Sequence, residues 1–108
     1  MRIYFKECEK NMNEEFLDNL DNARAIAGIP FIITSAWRSP EHNKKVGGTP
    51  NSSHLKGLAV DIVADDSRKR FTILQALIAA GFTRIGIAKT FIHVDGDTEK
   101  DPRVTWLY

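Results

Sequence analysis

The sequence predicts an α+β domain in which helices pack on one face of a mostly antiparallel sheet. Two segments carry apolar residues at helical spacing, and short β-rich runs lie between and after them. The connection before the last central strand is too short for a parallel crossover, so antiparallel pairing is expected there. A chain of 108 residues has room for one hydrophobic core, and residues 1–108 are therefore predicted to form a single domain.

The first helix is predicted over residues 13–27. Asn13 is a suitable N-cap, and Glu14 and Glu15 in the first turn interact favourably with the helix dipole. Gly28, just after the last turn, is a natural C-cap. The apolar residues of this segment recur at helical spacing: Phe16, Leu17, Leu20, Ala23 and Ala27.

A strand, a loop and a second strand are predicted to follow. Residues 31–36 are rich in β-forming side chains. Residues 39–53 are rich in Gly, Pro, Asn and Ser, which is typical of a long loop. Residues 58–64 form an apolar run that only Asp61 interrupts, as expected of a buried strand.

The second helix is predicted over residues 66–80. Asp66 or Ser67 can cap its N-terminus, and Gly81 ends it. Its predicted inner face consists of four apolar residues: Phe71, Leu74, Leu77 and Ile78.

The remainder of the chain is predicted to complete the sheet. Residues 84–88 and 91–95 have the pattern of a β-hairpin. Residues 97–102 are polar and predict a loop, after which residues 104–108 predict a final edge strand.

Composition excludes several functional classes. The 15 basic and 14 acidic residues nearly cancel, so nothing favours nucleic acid as a partner. Cys8 is the single cysteine, so an internal disulfide and a thiolate metal site are both excluded. Residues 1–13 lack the apolar run of a signal peptide, and no run is long enough to cross a membrane. We therefore expect a protein that is cytoplasmic as synthesised and is not inserted in a membrane.

Two histidines and an aspartate are candidates for a metal site. Asp61 lies inside an apolar strand, where a carboxylate is costly unless a cation, a metal or hydrogen bonds compensate it. His54 ends the predicted loop, and His93 lies in another apolar strand. Each of the three could be an ordinary buried polar residue. Together, two imidazoles and a carboxylate match a catalytic zinc set, which has three N/O ligands and an open fourth position.

The residues around these candidates form a longer pattern. Residues 52–61 contain Ser-x-His-x-x-Gly-x-Ala-x-Asp, residues 34–43 contain Ser-Ala-Trp-Arg-Ser, and residues 91–95 read Phe-Ile-His-Val-Asp. In their order and separation these segments resemble the zinc D-Ala-D-Ala carboxypeptidases and L-alanyl-D-glutamate endopeptidases, which share the hedgehog/DD-peptidase fold. The resemblance extends from about residue 4 to the end of the sequence.

The resemblance implies roles for particular residues. His54, Asp61 and His93 would bind one zinc ion, and Arg38 would face the scissile carbonyl oxygen or a substrate carboxylate. Ser52 would hydrogen-bond near the site to steer substrate or His54, although it could equally be a turn serine. The implied reaction is metal-assisted hydrolysis, in which a carboxylate moves the proton of the attacking water.

Further roles concern Trp37 and the small residues of the metal-binding segment. Trp37, beside Arg38, could stack on substrate or only pack against the protein. Gly57 and Ala59 would let the loop and the strand that carries Asp61 approach closely.

The sequence departs from the family at the position of the general base. Many members have Asp or Glu three residues before the last histidine ligand, where this chain has Thr90. Asp95 lies on the same strand face as His93 and is the replacement candidate for the base. Alternatively, Asp95 orients the imidazole of a metal ligand. The sequence leaves both roles open.

Two functions of different classes are consistent with this pattern. The first is a zinc peptidase that cuts peptide bonds involving D-amino acids in peptidoglycan stem peptides, either as a carboxypeptidase or as an endopeptidase. The second is a catalytically silent zinc-containing binding domain of the same fold. The small size and the missing signal peptide fit a monomeric phage lysin that reaches the cell wall after release, or an enzyme exported by a non-classical route.

Overall fold

A computed structural model describes residues 2–5 and 10–108 of the chain, and Cys8 lies outside the described residues. The helices are α1 (Glu14–Ala27), α2 (Pro40–Lys45) and α3 (Ser67–Ala79), and a 3₁₀ turn covers Ser53–Lys56. The strands are β1 (Ile33–Ser35), β2 (Ala59–Val63), β3 (Arg84–Ile87), β4 (Phe91–Asp95) and β5 (Val104–Leu107). The predicted α+β class is confirmed.

The five strands form one sheet in the order β1-β2-β4-β3-β5. The pairs β1–β2, β2–β4 and β3–β4 are antiparallel, whereas β5 runs parallel to β3. The sheet is therefore mixed, although antiparallel pairs predominate as predicted. β5 can run parallel to β3 because the segment from 96 to 103 passes the N-terminal end of β3, where β4 ends and β5 begins.

The two faces of the sheet have different functions. Alternation along β2 and β4 directs Val60, Ile62, Ile92 and Val94 toward the core, where they cluster with buried residues of α1 and α3. The residues between them, including Asp61 and His93, therefore lie on the opposite face. The helices α1 and α3 thus cover one face, and the polar candidate residues occupy the other.

Helix α1 matches its prediction. Asn13 Oδ1 accepts a hydrogen bond from the Phe16 amide at 2.8 Å, and Gly28 ends the helix with φ of 70°. The predicted apolar positions Phe16, Leu17, Leu20 and Ala23 are buried, and Ala27 packs at the edge of the core.

Two predictions about local structure were wrong. The segment predicted as a continuous loop contains α2, because the Ser39 hydroxyl accepts from the His42 amide and Pro40 suits the first helical turn. On α3, Phe71 and Ile78 are 65% and 59% exposed. Leu77 is buried as predicted and Leu74 packs partly buried against the core. Ile73 and Ala76 complete the buried face in place of Phe71 and Ile78, since α1 and not only the sheet packs against this helix.

Gly57, at the end of the 3₁₀ turn, packs closely against the segment that precedes α1. Its φ is 70°, and a Cβ built there would meet the carbonyl oxygen of Asn11 and lie 3.0 Å from the Cα of Met12. Its own carbonyl accepts from the Asn13 amide at 2.9 Å. The close approach expected at Gly57 is therefore made to the segment before α1.

No helix among residues 2–5 and 10–108 is long and apolar enough to cross a bilayer.

We predict that Gly57→Ala destabilises the protein more than Gly28→Ala. Both glycines have φ of 70°, but a Cβ at Gly28 meets no atom within 4 Å. Gly28→Ala should cost about 1 kcal/mol of unfolding free energy through backbone strain alone, and Gly57→Ala about 3 kcal/mol, because it adds a backbone clash. Urea unfolding of both variants with a chelator present measures the difference. Equal losses would contradict the packing described for Gly57.

Candidate metal centre

The side chains of His54, Asp61 and His93 meet on the polar face of the sheet. Asp61 and His93 are direct cross-strand partners on β2 and β4, and His54 reaches them from the 3₁₀ turn. One atom of each residue lies within 4.8 Å of the other two. Asp61 Oδ1 is 3.3 Å from His54 Nε2 and 3.0 Å from His93 Nδ1.

Each imidazole makes a hydrogen bond on its outer side, and this bond determines which ring nitrogen faces the cluster. His54 Nδ1 donates to the Ala36 carbonyl oxygen at 2.8 Å, which leaves Nε2 toward Asp61. His93 Nε2 donates to Asp95 Oδ2 at 2.8 Å, which leaves Nδ1 toward Asp61. A carbonyl or carboxylate behind the imidazole is the usual support of a metal-binding histidine.

The electrostatics of the cluster favour an ionised Asp61. Burial alone would raise the pKa of its carboxyl, but hydrogen bonds and charge from His54 and His93 outweigh burial and lower it well below its ordinary value. Burial lowers the pKa of His93, whereas Asp61 and Asp95 raise it, and the net direction is upward. Asp61 is therefore in the ionised form that a carboxylate needs to bind a metal.

Asp95 lies behind His93 and is held from several sides. Its Oδ1 accepts from Arg84 Nε at 2.7 Å and from the Asp97 amide at 3.2 Å, while its Oδ2 contacts His93. The side chain is 2% exposed. Burial raises the pKa of Asp95, but the bonds from His93 and the Asp97 amide, with the charge of Arg84, lower it overall.

Arg38 lies beside the cluster with its guanidinium held in place. Its Nε donates to Ser35 Oγ at 3.0 Å and one terminal nitrogen donates to Asn43 Oδ1 at 3.3 Å. The other terminal nitrogen is 3.6 Å from Asp61 Oδ2. The Arg38 amide also donates to the His54 carbonyl at 3.2 Å, so the two segments are joined through the backbone.

Ser52 and Trp37 contact the 3₁₀ turn that carries His54. The Ser52 hydroxyl accepts from the His54 amide at 3.3 Å and so caps the turn. Trp37 Nε1 donates to the Leu55 carbonyl at 3.2 Å, and this residue remains 36% exposed. The structure thus places both candidate substrate-binding residues at the His54 side of the cluster.

An ionic network on the other side of the 3₁₀ turn involves Asp97. This carboxylate is 1% exposed and accepts from Ser53 Oγ at 2.7 Å and from Lys56 Nζ at 3.0 Å. Lys100 Nζ adds a bond to Ser53 Oγ at 2.9 Å. Because Ser53 and Lys56 flank His54 in the turn, Asp97 helps to fix the position of that imidazole.

The donor set fits a zinc ion. Two imidazole nitrogens and one carboxylate oxygen converge, each supported by a neighbouring polar group. Both imidazoles could bind a metal while keeping the hydrogen bonds from their outer ring nitrogens to Ala36 and Asp95. Imidazole nitrogens suit zinc better than magnesium or calcium, which prefer oxygen ligands. These residues can therefore hold a metal ion.

Comparison with protein families agrees with this geometry. The family model described as Peptidase M15 matches residues 4–95, which is most of the chain and includes all three candidate ligands. The chain belongs to the Peptidase M15 family. A search of curated proteins found no match. Family membership and the candidate metal site together support a metallopeptidase function. The Peptidase M15 match ends at Asp95, so β5 lies outside it.

The structure adds site residues that the sequence analysis did not identify. Arg84 holds Asp95, Asn43 and Ser35 hold Arg38, and Asp97 holds the 3₁₀ turn. Only Arg84 left a local signal, as a charged residue in the otherwise apolar strand β3. The other contacts join segments that are distant in the sequence or lie within irregular structure.

We predict that Asp95→Asn weakens zinc binding by roughly 10- to 100-fold, because it removes the negative charge behind His93 while preserving the side chain's shape. Competition with a chromophoric chelator measures the affinity. Asp101→Asn is the control, since residue 101 is exposed and the change in charge is the same. Unchanged affinity in Asp95→Asn would exclude this supporting role.

The Asp97 network predicts a pH dependence of stability. Burial raises the pKa of Asp97, but bonds from Ser53 and Lys56 lower it overall. A carboxyl with a depressed pKa in the folded state stabilises the protein above its unfolded pKa of about 4, and this contribution is lost as the pH falls further.

Asp97→Asn should therefore cost about 2 kcal/mol of unfolding free energy at pH 6 and progressively less toward pH 3. Urea unfolding of the metal-free wild type and variant at several pH values tests this, again with Asp101→Asn as the control. A loss that stays constant across this range would show that the ionised carboxylate is not the stabilising species.

Proposed function

We propose that this chain is a zinc peptidase that hydrolyses peptide bonds involving D-amino acids in peptidoglycan stem peptides. The observation that carries the proposal is the oriented set of His54 Nε2, Asp61 Oδ1 and His93 Nδ1 beside the fixed guanidinium of Arg38. Membership of the Peptidase M15 family supports the hydrolysis of peptide bonds. The resemblance of the motif segments to wall peptidases supports peptidoglycan stem peptides as the substrate class. Zinc is the metal that the donor set fits best.

The chain's own residues would position and polarise the substrate. Zinc held by His54, Asp61 and His93 would supply Lewis acidity and acidify water. Arg38 would donate to the carbonyl oxygen as negative charge develops on it, or to a substrate carboxylate. Because Ser35, Asn43 and Asp61 already hold the guanidinium, little reorganisation would be needed when substrate binds.

The contacts of Asp95 favour a positioning role over that of general base. Its two oxygens are engaged by His93 and Arg84, and its side chain is almost fully buried, so water cannot readily reach it. It also lies behind the ring of His93, on the side away from Asp61. Ser52 would steer His54 through the cap of the 3₁₀ turn, and the exposed part of Trp37 would be available to substrate.

A second candidate function is a zinc-containing binding domain without catalysis. The observation that favours it is Thr90, which occupies the position of the usual acidic residue and is exposed in the turn between β3 and β4. A threonine hydroxyl cannot act as a base near neutral pH. The rigid placement of Arg38 favours the enzyme, since a purely structural metal site does not require it.

We expect zinc-loaded protein to release peptide fragments from purified peptidoglycan, detected as new amino groups and by mass spectrometry. The fragment masses would identify the bond and distinguish a carboxypeptidase from an endopeptidase. Asp61→Asn should abolish both zinc binding and cleavage, whereas Asp65→Asn, the same change at an exposed position outside the cluster, should affect neither. One bound zinc without cleavage of several wall types would favour the binding domain.

Arg38→Ala should lower kcat/KM by roughly 100-fold, and Arg38→Lys should recover only part of the loss because it lacks the planar fork. Arg68→Ala, at an exposed position on α3, is the matched control. Asp95→Asn assayed at saturating zinc should keep most of wild-type kcat if Asp95 only positions His93. A fall of 100-fold or more with zinc fully bound would instead identify Asp95 as the base.

A further inference from the structure

Two aromatic side chains of β5 and its end, Trp106 and Tyr108, lie on the same sheet face as the metal-binding cluster. Residues two apart on a strand share a face, and β5 pairs with β3 so that Trp106 lies opposite Gly86. The Trp106 ring is 5.6 Å from the His93 ring, and the Tyr108 ring is 5.1 Å from the Phe91 ring. We call Trp106 and Tyr108 the aromatic wall.

Gly86 makes room for the aromatic wall. A Cβ at this position would lie 2.5 Å from Trp106 Nε1 and 2.8 Å from Tyr108 Cε2. The two rings therefore cover the backbone of β3 where a side chain would otherwise stand. Gly86 is also the cross-strand partner of His93, so the space left by its missing side chain lies immediately beside β4, the strand that carries this candidate ligand.

The aromatic wall is coupled to the cluster but is open to solvent. Arg84 lies 5.1 Å from the Trp106 ring and also holds Asp95 behind His93. Desolvation raises the pKa of the Tyr108 phenol, a hydrogen bond with Trp106 and the charge of Arg38 lower it, the charges of Asp61 and Asp95 raise it, and the net direction is upward. Tyr108 is nevertheless 67% exposed, and Trp106 is only half-buried. A large aromatic surface that faces both a metal cluster and solvent can contact a ligand.

The strand order places the metal-binding cluster between a cationic side chain and the aromatic wall. Asp61 and His93 lie on the two strands β2 and β4, Arg38 follows β1 on one side, and the aromatic wall belongs to β5 on the other. A peptide laid across the cluster therefore has a fixed cation at one end and exposed rings at the other.

We propose that Trp106 and Tyr108 are specificity-determining residues that bind the apolar side chains and planar peptide groups of the substrate beyond the metal cluster. This inference rests on the proposed function and deepens it, because it identifies a second substrate-binding side in a segment outside the Peptidase M15 match. The rings contribute contact area and little hydrogen bonding, so the subsite selects alanine-like side chains over charged ones.

The test compares four variants with wild type on a synthetic stem pentapeptide ending in D-Ala-D-Ala, using zinc-loaded protein. Tyr108→Ala and Trp106→Ala should raise KM roughly five- to tenfold. Tyr108→Phe should keep a KM near wild type, because the ring remains. Leu107→Ala is the matched control, since Leu107 lies between the two rings in sequence, points to the other side of the strand and is 82% exposed.

Zinc content must stay at one per chain in each variant, because the wall is proposed to bind substrate and not to hold the metal. Gly86→Ala is a further variant that retains both rings but displaces them, and it should raise KM in the same direction. Unchanged KM in both alanine variants would overturn the inference. An equal loss in Tyr108→Phe and Tyr108→Ala would also overturn it, because the phenol oxygen and not the ring would then be responsible.

A binding measurement separates this inference from the proposed function. The chain has 2 tryptophans, so the part of the emission change that wild type shows on adding the pentapeptide and Trp106→Phe lacks reports on Trp106. A change in emission on adding the pentapeptide, lost in Tyr108→Ala, supports the wall even if no bond is cut, and in that case only the peptidase proposal fails. Cleavage with unchanged KM in the alanine variants overturns the wall alone. If the pentapeptide is neither bound nor cleaved, both proposals are overturned.

Discussion

The placement of the Asp61 carboxylate inside an apolar strand is the constraint on which the rest of the site depends. A buried negative charge must be compensated, and here two imidazoles and a guanidinium surround it. The register of β2 against β4 makes this possible because it sets Asp61 directly opposite His93. A slip of one residue would turn His93 into the core and leave the carboxylate without that partner.

The same alternation that builds the core also builds the site. Val60 and Ile62 on one side of β2 pack beneath α1 and α3, while Asp61 between them faces the other way. Stability and function therefore depend on the same register. The rigid apolar packing on one face is what holds the polar groups on the other within a fraction of an ångström, as a metal site requires.

Arg84 connects parts of the site that lie far apart in the sequence. It holds the carboxylate that orients His93, donates to the Asp101 carbonyl of the segment before β5, and lies against Trp106. The parallel pairing of β5 with β3 brings that segment back to the sheet. The metal cluster and the aromatic wall thus form one continuous surface, although only the cluster lies within the region matched by the family model.

The sequence by itself determined the elements and the donors. Helix caps, periodicity and turn residues located α1, α3 and the strands, and the resemblance of the motif segments to a known family singled out His54, Asp61 and His93, whose side chains the fold brings together. Short-range signals act within a few residues, so they carry this information. Only the tertiary structure decided which nitrogen of each imidazole faces Asp61, that Asp95 lies behind His93, and that β5 runs parallel to β3. These depend on strand register and on contacts between distant segments, which local sequence patterns do not encode.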